Sequence, residues 1–502
     1  MTSSNQSVTT PVISSVSPAF GPVSGGTTVT ISGQGLLSAN AVMFGNLVAQ
    51  SFQIINDSTI VATSPAAFGG SVDISVSTGI GLTPISPSDV FTYSSYTPIS
   101  PLRICDTRQA SSGVSPNQCN SGGNTTLNSN SVLNVQVAGL NPSIPQNVTS
   151  VVVNITATDA TSNGDYLTVF PTGTQMPTSS VLNFNQGQTV SNLVTIGLGT
   201  NGDFSIYNFT GNSDVIVDLE GYYSNDTFNS GSYVGISGVR ICDTRPISTS
   251  VASNECNQGV NNKLSSGSVI GVSVAKVVPS SAIAVVANLT ATNTTSNGGY
   301  LTAWSGTTAA PPNASNLNFN QGQTVSNRVI IPINQYADTV SIYNYIGSTD
   351  VILDVIGYIT QDTQNQTTIG SAFNPITPLR ICDTRPISTL VASNQCDTNS
   401  NTTLKPNSTL SVTLEGTQYP IPTNATEIVV NVTVTNTTSN GGYLSIYDPS
   451  ITTNPTISDI NWAQGQTVSN LDIVPISSSG TIDIYNAIGN ADVIVDVMGY
   501  MA

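Results

Sequence analysis

PLRICDTR stands at Pro101–Arg108 and again at Pro378–Arg385, with VRICDTR at Val239–Arg245 between them. Working outward, each copy is followed by a second cysteine. Then comes VVVNITAT (from Val151), VVANLTAT (from Val285) or VVVNVTVT (from Val429). TSNGDYLTVF, TSNGGYLTAW or TSNGGYLSIY follows, and then NFNQGQTVSN (from Asn183 and Asn318) or NWAQGQTVSN (from Asn461). Each copy closes on SDVIVDLEGYY, TDVILDVIGYI or ADVIVDVMGYM. Self-similarity at one fixed period means a repeated structural unit. Three modules are expected near residues 96–224, 233–360 and 373–502. The polar stretches SNDTFNSGS and TQDTQNQTTIGSA between them read as flexible or lightly ordered joints.

Within a module the pattern is that of strands. Val152, Asn154 and Thr156 alternate with Val153, Ile155 and Ala157, the period of two of a pleated chain. Ser-Asn-Gly and Gln-Gly-Gln mark turns, and no run has helical periodicity. The fold class is therefore all-β, with a β-sandwich in each repeat.

Residues 11–94 differ. Their opening, PVISSVSPAFGPVSGGTTVTISGQGL, carries Pro18, Gly21, Pro22, Gly25, Gly26 and Thr27, and DVFTY closes the segment. It resembles the IPT/TIG family of immunoglobulin-like domains. The resemblance implies a non-catalytic β-sandwich of the kind found in surface receptors, adhesins and some transcription factors. The DNA-contacting role of the last group is not expected, because residues 11–94 contain no Lys or Arg. The three repeats resemble a module of secreted and surface proteins of actinobacteria and other microbes, marked by the DTR opening and the final D-V-I-x-D-x-x-G-Y. That implies location more than activity.

Composition narrows the function classes. Only 7% of the 502 residues are charged, against about 25% in ordinary globular proteins. The formal charge is −17. Nucleic acid, which needs basic patches, is excluded as a partner, and docking on anionic membranes is disfavoured. No stretch approaches the roughly 20 apolar residues of a membrane span, so no direct membrane insertion is expected. There is no histidine, which removes Ser-His-Asp and Cys-His catalysis and most zinc sites. The glutamates Glu220, Glu255, Glu415 and Glu427 hold no place common to all three repeats, as a repeated carboxylate pair for glycoside hydrolysis would require. Two thiols per module do not complete a tetrahedral metal site, and no D-x-D-x-D loop supports calcium. The expectation is a non-enzyme without cofactor or metal.

Cys105 and Cys119, Cys242 and Cys256, and Cys382 and Cys396 are each 14 residues apart. The equal spacing inside three modules singles out local pairing. It places the chain in an oxidising compartment, extracellular or at the cell surface. Each closed loop should add about 3 kcal/mol in the chain-entropy model.

The DTR motif holds six of the 10 basic residues. Arg103 and Arg108, Arg240 and Arg245, and Arg380 and Arg385 are read as members of a partly buried Arg/Asp network. Its acids are Asp106 with Asp218, Asp243 with Asp354, and Asp383 with Asp496; Asp214, Asp350 and Asp492 are the other candidates. A tripled ligand-binding Arg site is the competing reading. The matched aromatic positions Phe170/Trp304/Tyr447 and Phe184/Phe319/Trp462 are read as core fillers, with sugar stacking as the alternative. Candidate N-glycosylation sites are Asn124, Asn208, Asn225, Asn293, Asn365, Asn401, Asn407 and Asn436, while Asn154, Asn288 and Asn431 lie in strands and are read as structural.

The expected function is that of an extracellular structural protein, a self-assembling subunit of a surface filament, surface layer or sheath. Self-association is the expected partnership, in keeping with the lack of a recognisable anchor. The segment Met1–Thr10 is expected to add a strand to a neighbouring subunit. The alternatives are an adhesin or carbohydrate-binding surface protein, with surface glycans as partners, and a virion surface or fibre component. With 27 acidic residues in all, acid should unfold the chain little, and the Arg-linked aspartates, chiefly Asp106, Asp243 and Asp383, should be held low.

Non-reducing peptide mapping should return three disulfide-linked peptides, one per repeat. Free thiols or links between repeats would refute the local pairing.

Overall fold

The computed structural model describes every residue other than 1–9, 24, 110–118, 120–121, 141–142, 225–229, 247–255, 257–260, 307–309, 362–369, 386–395, 397–402, 415–420, 423–424 and 452–456. The proposed strand-adding tail and the middles of both polar linkers lie outside the described residues. All regular structure among them is β.

The N-terminal module is a sandwich. Val12–Ser17, Thr28–Gln34, Thr59–Thr63 and Ser51–Asn56 form one sheet. Phe20–Gly21, Val90–Tyr93, Gly70–Thr78, Ala39–Phe44 and Leu47–Val48 form the other. Alternation decides which side chains meet: Val29 and Ile31 from the first sheet face Val42, Phe44, Ile74 and Val76 from the second, all essentially buried. Phe91 packs edge-on between Phe44 and Tyr93.

Each repeat pairs an inner and an outer four-stranded layer. In the first, the inner layer runs Val190–Gly197, Ser150–Thr158, Asp214–Ser224, Ser95–Asp106, and the outer runs Ser131–Gln136, Asp203–Asn208, Asp165–Pro171, Leu182–Phe184. The second and third repeats reproduce this order. The predicted aromatic core fillers Phe170, Trp304, Tyr447, Phe184, Phe319 and Trp462 are all buried.

The repeats are not separate beads. All of Ser150–Thr158 is buried, on both faces of the strand. Val151, Val153, Ile155 and Ala157 face the repeat's own core, while Val152 joins a core shared with Ala284, Val286 and Ile330 of the second repeat and Val429, Leu471 and Ile473 of the third. The inner layers of the first two repeats join edge to edge at Tyr96 and Gly231. Tyr233 pairs with Ser371 at the start of the third. The residues flanking both linkers are thus tied into sheet, where the composition predicts loose joints.

The closure is cyclic and made by asparagine. Asn327 of the second repeat donates to Asn154 Oδ1 of the first (2.8 Å) and accepts from the Leu193 N–H (3.1 Å). Asn470 of the third donates to Asn288 Oδ1 of the second (3.3 Å) and accepts from the Arg328 N–H (3.1 Å). Asn192 of the first donates to Asn431 Oδ1 of the third (2.7 Å) and accepts from the Leu471 N–H (3.0 Å). The N-x-T asparagines and the last residue of the Q-T-V-S-N motif therefore bind one another across all three interfaces. A carboxamide suits the position because it donates and accepts at once and carries no charge to desolvate.

An aromatic plug joins the shared core. Tyr96, Tyr233 and Phe373, which open the three repeats, are buried and lie against the motif glycines. A Cβ on Gly221 would stand 2.2 Å from the Tyr96 hydroxyl oxygen, and one on Gly357 or Gly499 2.5 or 2.4 Å from the Tyr233 or Phe373 ring. The G-Y ending keeps its glycine because a ring occupies the space of the side chain.

The three interfaces differ where the repeats differ. Between the first and second, buried Glu220 accepts from Asn316 Nδ2 (2.8 Å). Between the second and third, fully buried Arg328 reaches Asp459 (3.0 Å) and Asp472. At the matching positions between the third and first stand Met498, Val181, Leu471 and Val194, all apolar and buried.

Burial raises several of these carboxyls. Asp459 is pushed up to about 8 by desolvation and by Asp472, despite Arg328. Asp472, Glu220 and Glu427 are also raised, first by burial. The native state therefore holds protons more tightly than the unfolded chain between the ordinary carboxylate range and pH 8. Stability must rise as pH falls through that window, by up to about 1.4 kcal/mol per pH unit for each carboxyl that keeps its proton only in the folded protein. The melting temperature should be higher at pH 4.5 than at pH 8.5, and Asp459→Asn should flatten the difference. A lower melting temperature at pH 4.5 would refute the assignment.

Candidate functional site: the arginine clefts between repeats

The DTR motif ends the first inner strand of each repeat, next to the strand carrying D-V-I-x-D. Arg103 is paired in register with Asp218, Arg240 with Asp354 and Arg380 with Asp496. Each pair is bidentate: Arg103 Nε and Nη2 lie 2.9 and 3.1 Å from the Asp218 oxygens, Arg240 2.8 and 2.9 Å from Asp354, and Arg380 2.9 and 3.0 Å from Asp496. The second arginine folds back on its own motif. Arg108 grips Asp106 (2.9 and 2.7 Å), Arg245 grips Asp243 and Arg385 grips Asp383 (each 2.9 and 2.6 Å). Arg103 also stands 3.5 Å from Asp106, linking the two pairs. The motif threonine fixes the remaining candidate: Thr107 Oγ1 donates to Asp214 (2.8 Å) and accepts from the Val215 N–H. Asp214 thus serves the threonine.

These aspartates are buried and the guanidinium groups are not entirely so. The Arg103, Arg108, Arg380 and Arg385 side chains keep 16, 30, 22 and 31% of their exposure. Desolvation raises Asp218 and Asp496 above the usual carboxylate range, and the arginines only partly offset it. The fold buries these two completely, and burial outweighs the ion pair. For Arg103 burial works against the charge, but Asp218 and Asp106 outweigh it and hold the guanidinium protonated.

Each motif borders the next repeat. The Ser315 N–H of the second repeat donates to Asp218 Oδ2 of the first (3.0 Å). A cleft enclosing about 540 Å³ opens there, walled by Arg103, Arg108 and Thr156 on one side and Tyr300, Phe319 and Tyr345 on the other. The third and first repeats build the same cleft, about 590 Å³, from Arg380, Arg385 and Thr433 against Tyr166, Phe184 and Phe209. Each holds a stacked ring pair: Tyr300 on Tyr345 with centroids 4.5 Å apart, and Tyr166 on Phe209 at 4.6 Å. Tyr345 and Phe209 are 47 and 45% exposed. Sequence reasoning missed these rings because it compared repeats position by position, whereas the cleft joins one repeat's arginines to its neighbour's aromatics. The chemical offer is charge-neutralised N–H donors, hydroxyls and an apolar platform.

The disulfides link Cys105 to Cys119, Cys242 to Cys256 and Cys382 to Cys396, with Cα atoms 5.2, 5.0 and 5.0 Å apart. They tether the chain that leaves each DTR motif. Among the described residues no group of His, Cys, Asp or Glu is arranged to hold a metal ion.

The glycosylation candidates divide. Asn124 and Asn407 are exposed. Asn208 is buried and donates to the carbonyls of Leu127, Asn128 and Gly211, so its amide is inaccessible in the folded protein. Asn293 and Asn436 adopt positive φ and donate to Asp350 (2.8 Å) and Asp492 (2.7 Å). A glycan on either would break that bond. Asn225, Asn365 and Asn401 lie outside the described residues.

Residues 11–93 match the IPT/TIG domain. No curated protein matches the chain. Among solved structures, SGBP-B from a complex xyloglucan utilization locus in Bacteroides uniformis is 12% identical, with a TM-score of 0.18 over 70% of this chain and 100% of that one. The mixed-linkage glucan SGBP-B of Bacteroides ovatus is 13% identical with a TM-score of 0.16, over 40% of this chain and about half (51%) of that one. Sulfolobus Turreted Icosahedral Virus is 10% identical with a TM-score of 0.15, over 84% of this chain and 88% of that one. At such TM-scores these likenesses bear on neither ligand nor assembly.

Replacing Arg103 by Ala strands Asp218 in the interior and should cost roughly 3–5 kcal/mol in denaturant unfolding. Arg103→Lys should not restore it, since an ammonium cannot make the bidentate pair. Arg108→Ala, nearer solvent, should cost less. Equal, small losses in all three would show that the network contributes little.

Proposed function

We propose that this chain is an extracellular, non-enzymatic glycan-binding surface protein, with the arginine clefts between repeats as its sugar sites. The observation that carries this reading is that one cleft is built twice, with the same arginines, threonines and stacked rings at two separate interfaces. Sugar rings present an apolar face and a rim of hydroxyls. A ring pair beside fixed N–H and O–H groups complements both. The disulfides fit an oxidising exterior, and no helix among the described residues is long and apolar enough to cross a membrane. Glu220 and Glu427 are buried, and Glu255 and Glu415 lie outside the described residues.

The architectural reading, a self-assembling filament or layer subunit, has one feature behind it. The N-terminal module exposes the large apolar side chains of Phe68, Ile85, Leu37 and Val48, 80 to 61% accessible.

A glycan array probed with the intact protein should give a defined set of binders, lost in a Tyr345→Ala, Phe209→Ala double variant. An empty array, with ordered polymers in electron micrographs of the same sample, would reverse the order of the two readings.

A further inference from the structure

We infer that the three-repeat ring holds two sugar sites, not three, and that both take neutral sugars. This rests on the glycan-binding reading above and adds stoichiometry and ligand class to it.

The number follows from one position. The backbone places Phe209, Tyr345 and Ala487 identically: their N–H groups donate to the carbonyls of Tyr166 (3.2 Å), Tyr300 (3.1 Å) and Tyr443 (3.2 Å). The inner residue is tyrosine in all three repeats. The outer is aromatic in two, where it stacks on that tyrosine and stands half exposed. In the third repeat it is alanine. Among the described residues no outer ring stacks on Tyr443, although the arginine side of that interface is intact, with Arg240 on Asp354 and Arg245 on Asp243. The second-to-third interface therefore has the donors of a sugar site without its platform.

The ligand class follows from charge. Each cleft's two guanidinium groups are matched by two buried aspartates, Asp106 and Asp218 in one and Asp383 and Asp496 in the other. The cleft thus offers hydrogen bonds with no net positive charge, on a chain of charge −17. An acidic sugar would meet an unfavourable field with no compensating cation, while a neutral one is indifferent to it.

The test is isothermal titration of the intact protein with cellohexaose, mannohexaose and hexagalacturonate. At least one neutral hexasaccharide should bind with a stoichiometry of two, and hexagalacturonate should not bind. Tyr345→Ala or Phe209→Ala should each remove one site, the lost site weakening by at least about tenfold. Ala487→Tyr should raise the count to three. Melting temperatures equal to the parent's establish that the variants fold; this is the expected result for half-exposed Tyr345 and Phe209, and it is the required control for Ala487, which is buried. Preference for hexagalacturonate would overturn the ligand class. A parent stoichiometry of one or three, or a folded Ala487→Tyr still at two, would overturn the site count. Each of these outcomes leaves glycan binding standing. Silence with all three sugars, together with an empty array, would remove the glycan reading and this inference with it.

Discussion

A strand whose two faces are both buried needs two partners, and the inner strand of each repeat has this requirement written into at least eight consecutive residues. One face is satisfied within the sandwich. The other carries valine and an asparagine, and neither can be left against the wrong surface: the valine needs apolar cover, and the buried carboxamide needs a donor and an acceptor. A neighbouring repeat supplies both. Because each repeat gives its Q-T-V-S-N asparagine to one neighbour and its N-x-T asparagine to the other, the arrangement is satisfied only when three repeats close on themselves. The clefts, the shared core and the aromatic plug all follow from that closure.

Near-identical modules could in principle meet in either sense around a ring. The unlike polar groups at the three interfaces act against misassembly. Arg328 placed against the valines of another interface would be a buried charge without a counterion, which costs several kcal/mol, and Glu220 away from Asn316 would lose the amide that holds it. Such groups add little net stability where they are correctly matched and a large penalty where they are not.

The strands, the local disulfides and the residues of the Arg/Asp network were legible because each is a local pattern repeated three times. The ring was not. Arg328, Asp459, Asp472 and Glu220 each occur in only one repeat, so comparison for sameness discards them, and their departure from the mostly apolar residues at matched positions was the available signal. Asn154, Asn288 and Asn431 were visible as strand asparagines and their partners as the last residue of the Q-T-V-S-N motif, but each pair spans more than a hundred residues and two repeats, and no local pattern marks the pairing. The upward shifts of Asp218 and Asp496 were not legible for a related reason: sequence shows a neighbouring arginine but not the depth at which these two lie.

Three-fold assemblies of separate subunits fall apart when diluted, since each association is bimolecular. Here the partners are joined by short linkers, and the local concentration of one repeat around the next is set by linker length rather than by the amount of protein present. Released into an open volume, the ring meets no dilution limit: its interfaces, and any cleft formed between them, persist at concentrations where a comparable trimer would be monomers.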